Sequence, residues 1–202
     1  MDISSLKTGD IILITDESNG FFNNFLNLIK YFTHSNITHI AIVLKDPSFL
    51  EKPLKGTYIW ESGFEGTPDP QDNKIKLGVQ VTEINQFLKN YNNGRFFVRR
   101  LENNKVFTEE KLKEIHNKVY DVPYDIDIFD WIYAFFRKDN NPQKVTRFWC
   151  SAFVGYIFVK CGVLKETCDW SILYPNDFSL SGEKLDYKSN NKLKLKEIEL
   201  KI

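Results

Sequence analysis

Arg147-Phe148-Trp149-Cys150-Ser151-Ala152-Phe153-Val154-Gly155-Tyr156-Ile157-Phe158-Val159-Lys160-Cys161-Gly162 sets a cysteine at the point where an apolar helix is expected to begin. Apolar residues at 153, 154, 157 and 158 follow helical spacing, and Gly162 stands where a C-terminal cap would end the element. A cysteine in the first turn of such a helix faces unpaired backbone N–H groups and a partial positive charge of roughly half an elementary unit. That environment favours the thiolate, which is the nucleophilic form. Taken alone, Cys150 also fits an ordinary buried cysteine, so its partners decide the reading.

Outward from this stretch, composition narrows the field. A chain of 202 residues and 23.8 kDa is read as one domain, residues 1–202, large enough to bury a core without disulfide or metal staples. Lys plus Arg and Asp plus Glu both number 27, so no global field attracts nucleic acid, and none is expected as a partner. Met1-Asp2-Ile3-Ser4-Ser5 lacks the basic start and apolar run of a secretory signal, and no stretch reads as a membrane span. A soluble, cytoplasmic protein is expected. Its three cysteines, Cys150, Cys161 and Cys168, show no zinc-type pairing, and the last two read as structural thiols. His34 and His39 lack a His-Glu-x-x-His pattern and no Gly-rich phosphate loop is present, so neither metal nor cofactor is expected.

Along the chain, Gly9-Asp10 leads into Ile11-Ile12-Leu13-Ile14, a continuous apolar run suited to a strand buried on both faces. Residues Phe21 to Phe32 carry apolar side chains at 21, 22, 25, 28, 29 and 32, the pattern of an amphipathic helix. Such a helix packs on its own domain or offers an aromatic face to an acyl chain or a membrane surface. Strands are expected over Thr38–Leu44, Thr57–Glu61, Gly78–Thr82 and Arg95–Leu101, with a short helix near 84–88 and a surface loop over 64–76. Thr108 then caps a helix through Leu112, Ile115 and Val119, and a second, more apolar helix is expected over 126–136. Near the end, Leu193 and Leu195 share one parity while Ile198, Leu200 and Ile202 take the other, which predicts a bulge or break. Strands first and helices after point to α+β with an antiparallel sheet.

A thiol nucleophile needs a base, and the base needs a third polar group to hold its tautomer. Of the three histidines, His34 falls in a loop-like composition and His116 on a polar-flanked helix, whereas His39 stands near the start of a rigid apolar strand. Glu61 ends the next strand. Antiparallel pairing brings the end of that strand beside the start of the other, and so Glu61 towards His39. Asp10, Glu65, Glu83 and Asp125 are substitutes for the same role, and a core histidine beside a solvent-facing Glu61 is the plainer alternative.

The ordered set Leu6-Lys7-Thr8-Gly9-Asp10-Ile11-Ile12, Thr38-His39-Ile40-Ala41-Ile42-Val43, Trp60-Glu61-Ser62, Pro123-Tyr124-Asp125, Trp149-Cys150-Ser151-Ala152-Phe153-Val154 and Tyr174-Pro175-Asn176-Asp177-Phe178 resembles the circularly permuted branch of the NlpC-type papain-like cysteine peptidase and amidase superfamily, which holds bacterial YiiX-like and poxviral proteins. Ala152 departs from the acidic residue that the family commonly carries there. Lecithin:retinol acyltransferase relatives share the permuted order, but their Asn-Cys-Glu-His-Phe motif is not matched. The resemblance implies a permuted papain-like fold, an antiparallel sheet or partial barrel packed on helices. It also implies Tyr124 as a substrate-binding residue and, for a viral member, the cytoplasm of an infected host cell.

The function expected from Cys150, His39 and Glu61 is a cysteine-dependent hydrolase or acyltransferase acting on an amide, ester or thioester bond. Its substrate would be a small-molecule, peptide or lipid-like acyl compound. The rivals are a non-catalytic binding module on the same fold and a membrane-surface lipid acyl hydrolase docked through Phe21–Phe32.

Overall fold

The computed structural model describes residues 1–15, 35–91, 94–125, 145–182 and 185–201. The helices expected over 21–32 and 126–136, together with His34, lie outside the described residues.

Six strands form one antiparallel sheet in the order β4-β3-β2-β1-β5-β6. They are β1 (Ile11–Thr15), β2 (His39–Lys45), β3 (Thr57–Gly63), β4 (Gly78–Glu83), β5 (Arg95–Leu101) and β6 (Leu193–Glu199). Three α-helices accompany them among the described residues: α1 (Ile84–Asn90), α2 (Glu109–Val119) and α3 (Cys150–Cys161). The class is α+β, as the order of patterns predicts.

Both faces of the sheet are covered, which is why β1 reads as an unbroken apolar run. Ile11 and Leu13 join one core with Ile40, Ile42, Trp60 and the helices α2 and α3. Ile12 and Ile14 join the other with Ala41, Val43, Ile59 and the α1 residues Ile84, Phe87 and Leu88. Strands β1 to β5 therefore bury both of their parities, whereas the edge strand β6 buries only Leu193. Helix α3 is buried at every position except Lys160, so it is a core helix rather than an amphipathic one. Its Phe153 meets Trp60 of β3 edge-on, with ring centroids 5.2 Å apart at 83°. Such a contact contributes about 1 kcal/mol beyond the area it buries. Gly162 ends α3 in the left-handed conformation at φ 78°, and its N–H reaches back into the last turn. Thr108 caps α2 by accepting from the Lys111 N–H, as expected.

One expectation needs correction. The stretch 64–76 does not simply lie on the surface: Glu65, Asp69 and Lys76 within it are buried. Asp69 Oδ2 accepts from the Val81 N–H at 3.1 Å and from Lys76 Nζ at 3.2 Å, so one carboxylate ties the loop to β4. At the C-terminal end the expected irregularity is present, within the single strand β6. Its pairing with β5 shifts register between Arg99 and Leu101, and Leu193 and Leu200 fall in opposite cores. The two parities conflict only for a sheet with one covered face. Leu195, 82 % exposed, is the side chain left out.

Candidate active site

The β2–β3 pairing sets Ile42 opposite Trp60 and Val43 opposite Ile59. Continued to the start of β2, that register brings His39 across from Gly63 and diagonal to Glu61. The side chains of His39 and Glu61 meet there, with His39 Nε2 2.5 Å from Glu61 Oε2. Gly63 makes the approach sterically feasible, since a Cβ at that position would lie 3.0 Å from Glu61 Oε2 and 3.4 Å from His39 Cε1. A second constraint comes from α1, whose C-terminal cap residue, Tyr91, stacks on the imidazole at 5.6 Å and 19°. One face of the ring and one of its nitrogens are thereby held.

Glu61 is fully buried, and burial pushes its carboxyl up while the neighbouring Glu65 side chain pulls it back down. Its side chain lies beside that of Glu65. Burial pushes Glu65 up to about 9, and the neighbouring Glu61 charge pushes the same way. Asn90, the last residue of α1, holds Glu65 through its amide, which donates to Oε2 at 2.6 Å and to the Glu65 carbonyl at 3.0 Å.

Cys150 is the first residue of α3 and is 3 % exposed. Trp149 occupies the N-cap position without a side-chain cap, so the first-turn N–H groups keep their positive end towards the thiol. The helix start is pinned on both sides. Ser62 Oγ at the end of β3 donates to the Phe148 carbonyl at 2.7 Å, and Trp149 Nε1 and Ser151 Oγ both donate to the Leu173 carbonyl. Phe148 also bridges to Tyr124, which places that tyrosine next to the helix start.

Strand alternation turns His39 and Glu61 to the α1 face of the sheet, whereas α3 packs on the opposite face. Tyr91 stacks on His39, and Tyr124 bridges to Phe148 beside the start of α3. Burial raises the Tyr91 phenol well above its usual range, and the charges of Glu65, Glu61 and Cys150 add to that rise. Tyr124 is raised in the same way, by burial first and then by Cys150, Asp125 and Glu61. Each phenol thus lies within electrostatic reach of both Cys150 and Glu61.

The substitutes for Glu61 have other work. Asp10 accepts from the Lys7 N–H and lies 3.5 Å from Arg100; Glu83 caps α1 through the Gln86 N–H; Asp125 lies 3.7 Å from Arg147. His116 is buried against Gln71 Oε1 at 2.5 Å, and burial lowers its pKa. Cys161 and Cys168 are buried thiols pushed up to about 12 and about 11, which suits structural roles. Sequence reading missed Gly63, Asn90 and Tyr91. Gly63 could have been found by extending the strand register; Asn90 and Tyr91 belong to no motif and enter only because α1 docks beside β2.

Compared with models of known protein families and with curated proteins, the chain matches none of them.

Proposed function

We propose that this chain is a cysteine-dependent hydrolase or acyltransferase of the circularly permuted NlpC-type papain-like kind, acting in the cytoplasm on an amide, ester or thioester of a small-molecule, peptide or lipid-like acyl substrate. The observation that carries the reading is the buried contact between His39 Nε2 and Glu61 Oε2. With Nε2 engaged by a carboxylate, proton exchange with a thiol falls to Nδ1, the arrangement a general base requires. Cys150 attacks the carbonyl carbon and His39 takes the thiol proton. The imidazolium then returns that proton to the leaving group, and an acyl-enzyme remains on sulfur. Water releases the acyl group in a hydrolase, and an amine or alcohol does so in a transferase. The backbone N–H at the start of α3 stabilises the oxyanion, a contribution of about 3 kcal/mol in comparable sites. Tyr124 lines the substrate side.

A non-catalytic binding module on the same fold is favoured by one observation, the 3 % exposure of Cys150. Alkylation separates the two. Iodoacetamide labelling of Cys150, followed by mass spectrometry against pH, is expected to persist below pH 7 and to collapse in His39→Ala. An unpaired thiol titrates near 8.5, and pairing with an imidazolium lowers that by up to several units. Labelling that rises only around pH 8.5 and is indifferent to His39 would sink the enzyme reading and leave the binding module.

A further inference from the structure

Glu61 uses its two oxygens differently. Oε2 faces the imidazole of His39, whereas Oε1 is buried and has no hydrogen-bonding partner among the described residues. Glu65 repeats the pattern, with Oε2 on the Asn90 amide and Oε1 buried without a partner. The two side chains nonetheless lie against each other. Gln80, opposite Glu61 in β4, is buried and adds no charge. Two ionised carboxylates cannot share so dry a place, but one proton between them gives both orphaned oxygens a partner.

Geometry also selects which carboxyl keeps the proton. Glu61 faces an imidazole, which donates to it and carries positive charge whenever His39 is protonated. Glu65 faces neutral groups instead, the Asn90 amide and the Tyr91 phenol. The anion is better stabilised on Glu61.

We infer that Glu65 is a protonated carboxylic acid at neutral pH and donates a hydrogen bond to Glu61, which makes it a positioning residue behind the Cys150-His39-Glu61 set. The proton stays on Glu65 throughout, and Glu65 forms and breaks no covalent bond with substrate. By holding Glu61 as the anion, it keeps the carboxylate charge on the His39 side. The titratable groups that face the pair are His39 from β2, Tyr91 from the end of α1, and Tyr124. The effect on Cys150 rests on the proposed function; the shared proton does not.

Isotope-edited infrared spectra of the full chain, with labelled glutamate, read the proton directly. At pH 7 a carbonyl band of a protonated glutamic acid is expected, and Glu65→Gln abolishes it. The alkylation profile of Cys150 provides the second readout. Glu65→Leu removes the donor, the proton moves to Glu61, the imidazolium loses its counter-charge, and the labelling limb rises by about one pH unit. Glu65→Gln, which keeps a neutral donor, restores it. The absence of the band at pH 7, its survival in Glu65→Gln, or a glutamine variant as disturbed as the leucine one overturns the inference. A band lost in Glu65→Gln, together with a Cys150 inert in every variant, upholds the shared proton and removes the enzyme reading instead.

Discussion

Gly63 shows how much of the candidate site depends on a missing side chain. A methyl group there would crowd Glu61 Oε2 at 3.0 Å and His39 Cε1 at 3.4 Å, so the imidazole and carboxylate would have to yield by a few tenths of an ångström. Alanine is otherwise the better strand residue, because glycine loses more conformational freedom on folding, by roughly 0.5–1 kcal/mol. Stability and reactivity should therefore part company. Gly63→Ala is expected to leave the unfolding midpoint in urea close to the parent and to slow Cys150 alkylation at pH 6.5 by about tenfold, a modest share of what a 1 Å misplacement can cost. An unchanged labelling rate would mean that Gly63 does not shape the His39–Glu61 pair. His39 and Glu61 were legible in the sequence because strand ends and antiparallel pairing are local rules. Gly63 belongs to no local pattern, since its role is set by a neighbour 24 positions away.

At the scale of elements, legibility followed the reach of the forces involved. Helix α3 could be read from its spacing and its terminal glycine, and α2 from Thr108 with Glu109 and Glu110 in its first turn. The loop from Phe64 to Lys76 could not, because Gly66, Pro68 and Pro70 mark irregular backbone but not burial. Its anchor is Asp69, 1 % exposed, which accepts from Val81 N–H, Lys76 Nζ and the Gln71 N–H. Nothing in the local sequence signals that the acceptor of a β4 amide lies twelve residues upstream. Asp69→Ala would leave the Val81 N–H buried without its acceptor and strip Lys76 of one of its carboxylates. The expected destabilisation is about 3 kcal/mol in urea unfolding, the scale for removing one member of a buried charged pair. A change within a few tenths of a kcal/mol would show that the loop is held by Asp72 and Asp121, the other carboxylates near Lys76.

Across the whole molecule, the sheet separates two cores and carries its chemistry at one end. His39 opens β2 and is paired with Ile14, while at the other end of β1 Ile11 is paired with Arg99. Three residues of strand put those ends about 10 Å apart. Arg99 is fully buried and donates to the Phe178 carbonyl at 2.8 Å and to the Lys194 carbonyl at 2.9 Å. Lys194 falls in the interval where the β5–β6 register shifts, so one guanidinium joins the irregular edge of the sheet to the turn at 175–178. Sequence parity exposed the irregularity near Leu195, but it said nothing of the arginine that satisfies it. Arg99→Met fills a similar volume and leaves those carbonyls without these donors, a loss of about 3 kcal/mol at 1–3 kcal/mol for each buried unsatisfied group. If the sheet is a rigid frame, that loss stays at its own end: the urea midpoint falls, while the alkylation profile of Cys150 in the folded protein keeps the parent's pH limb. A limb displaced along with the midpoint would mean that strain at Arg99 reaches His39 through β1, and that the frame and the site are one cooperative unit.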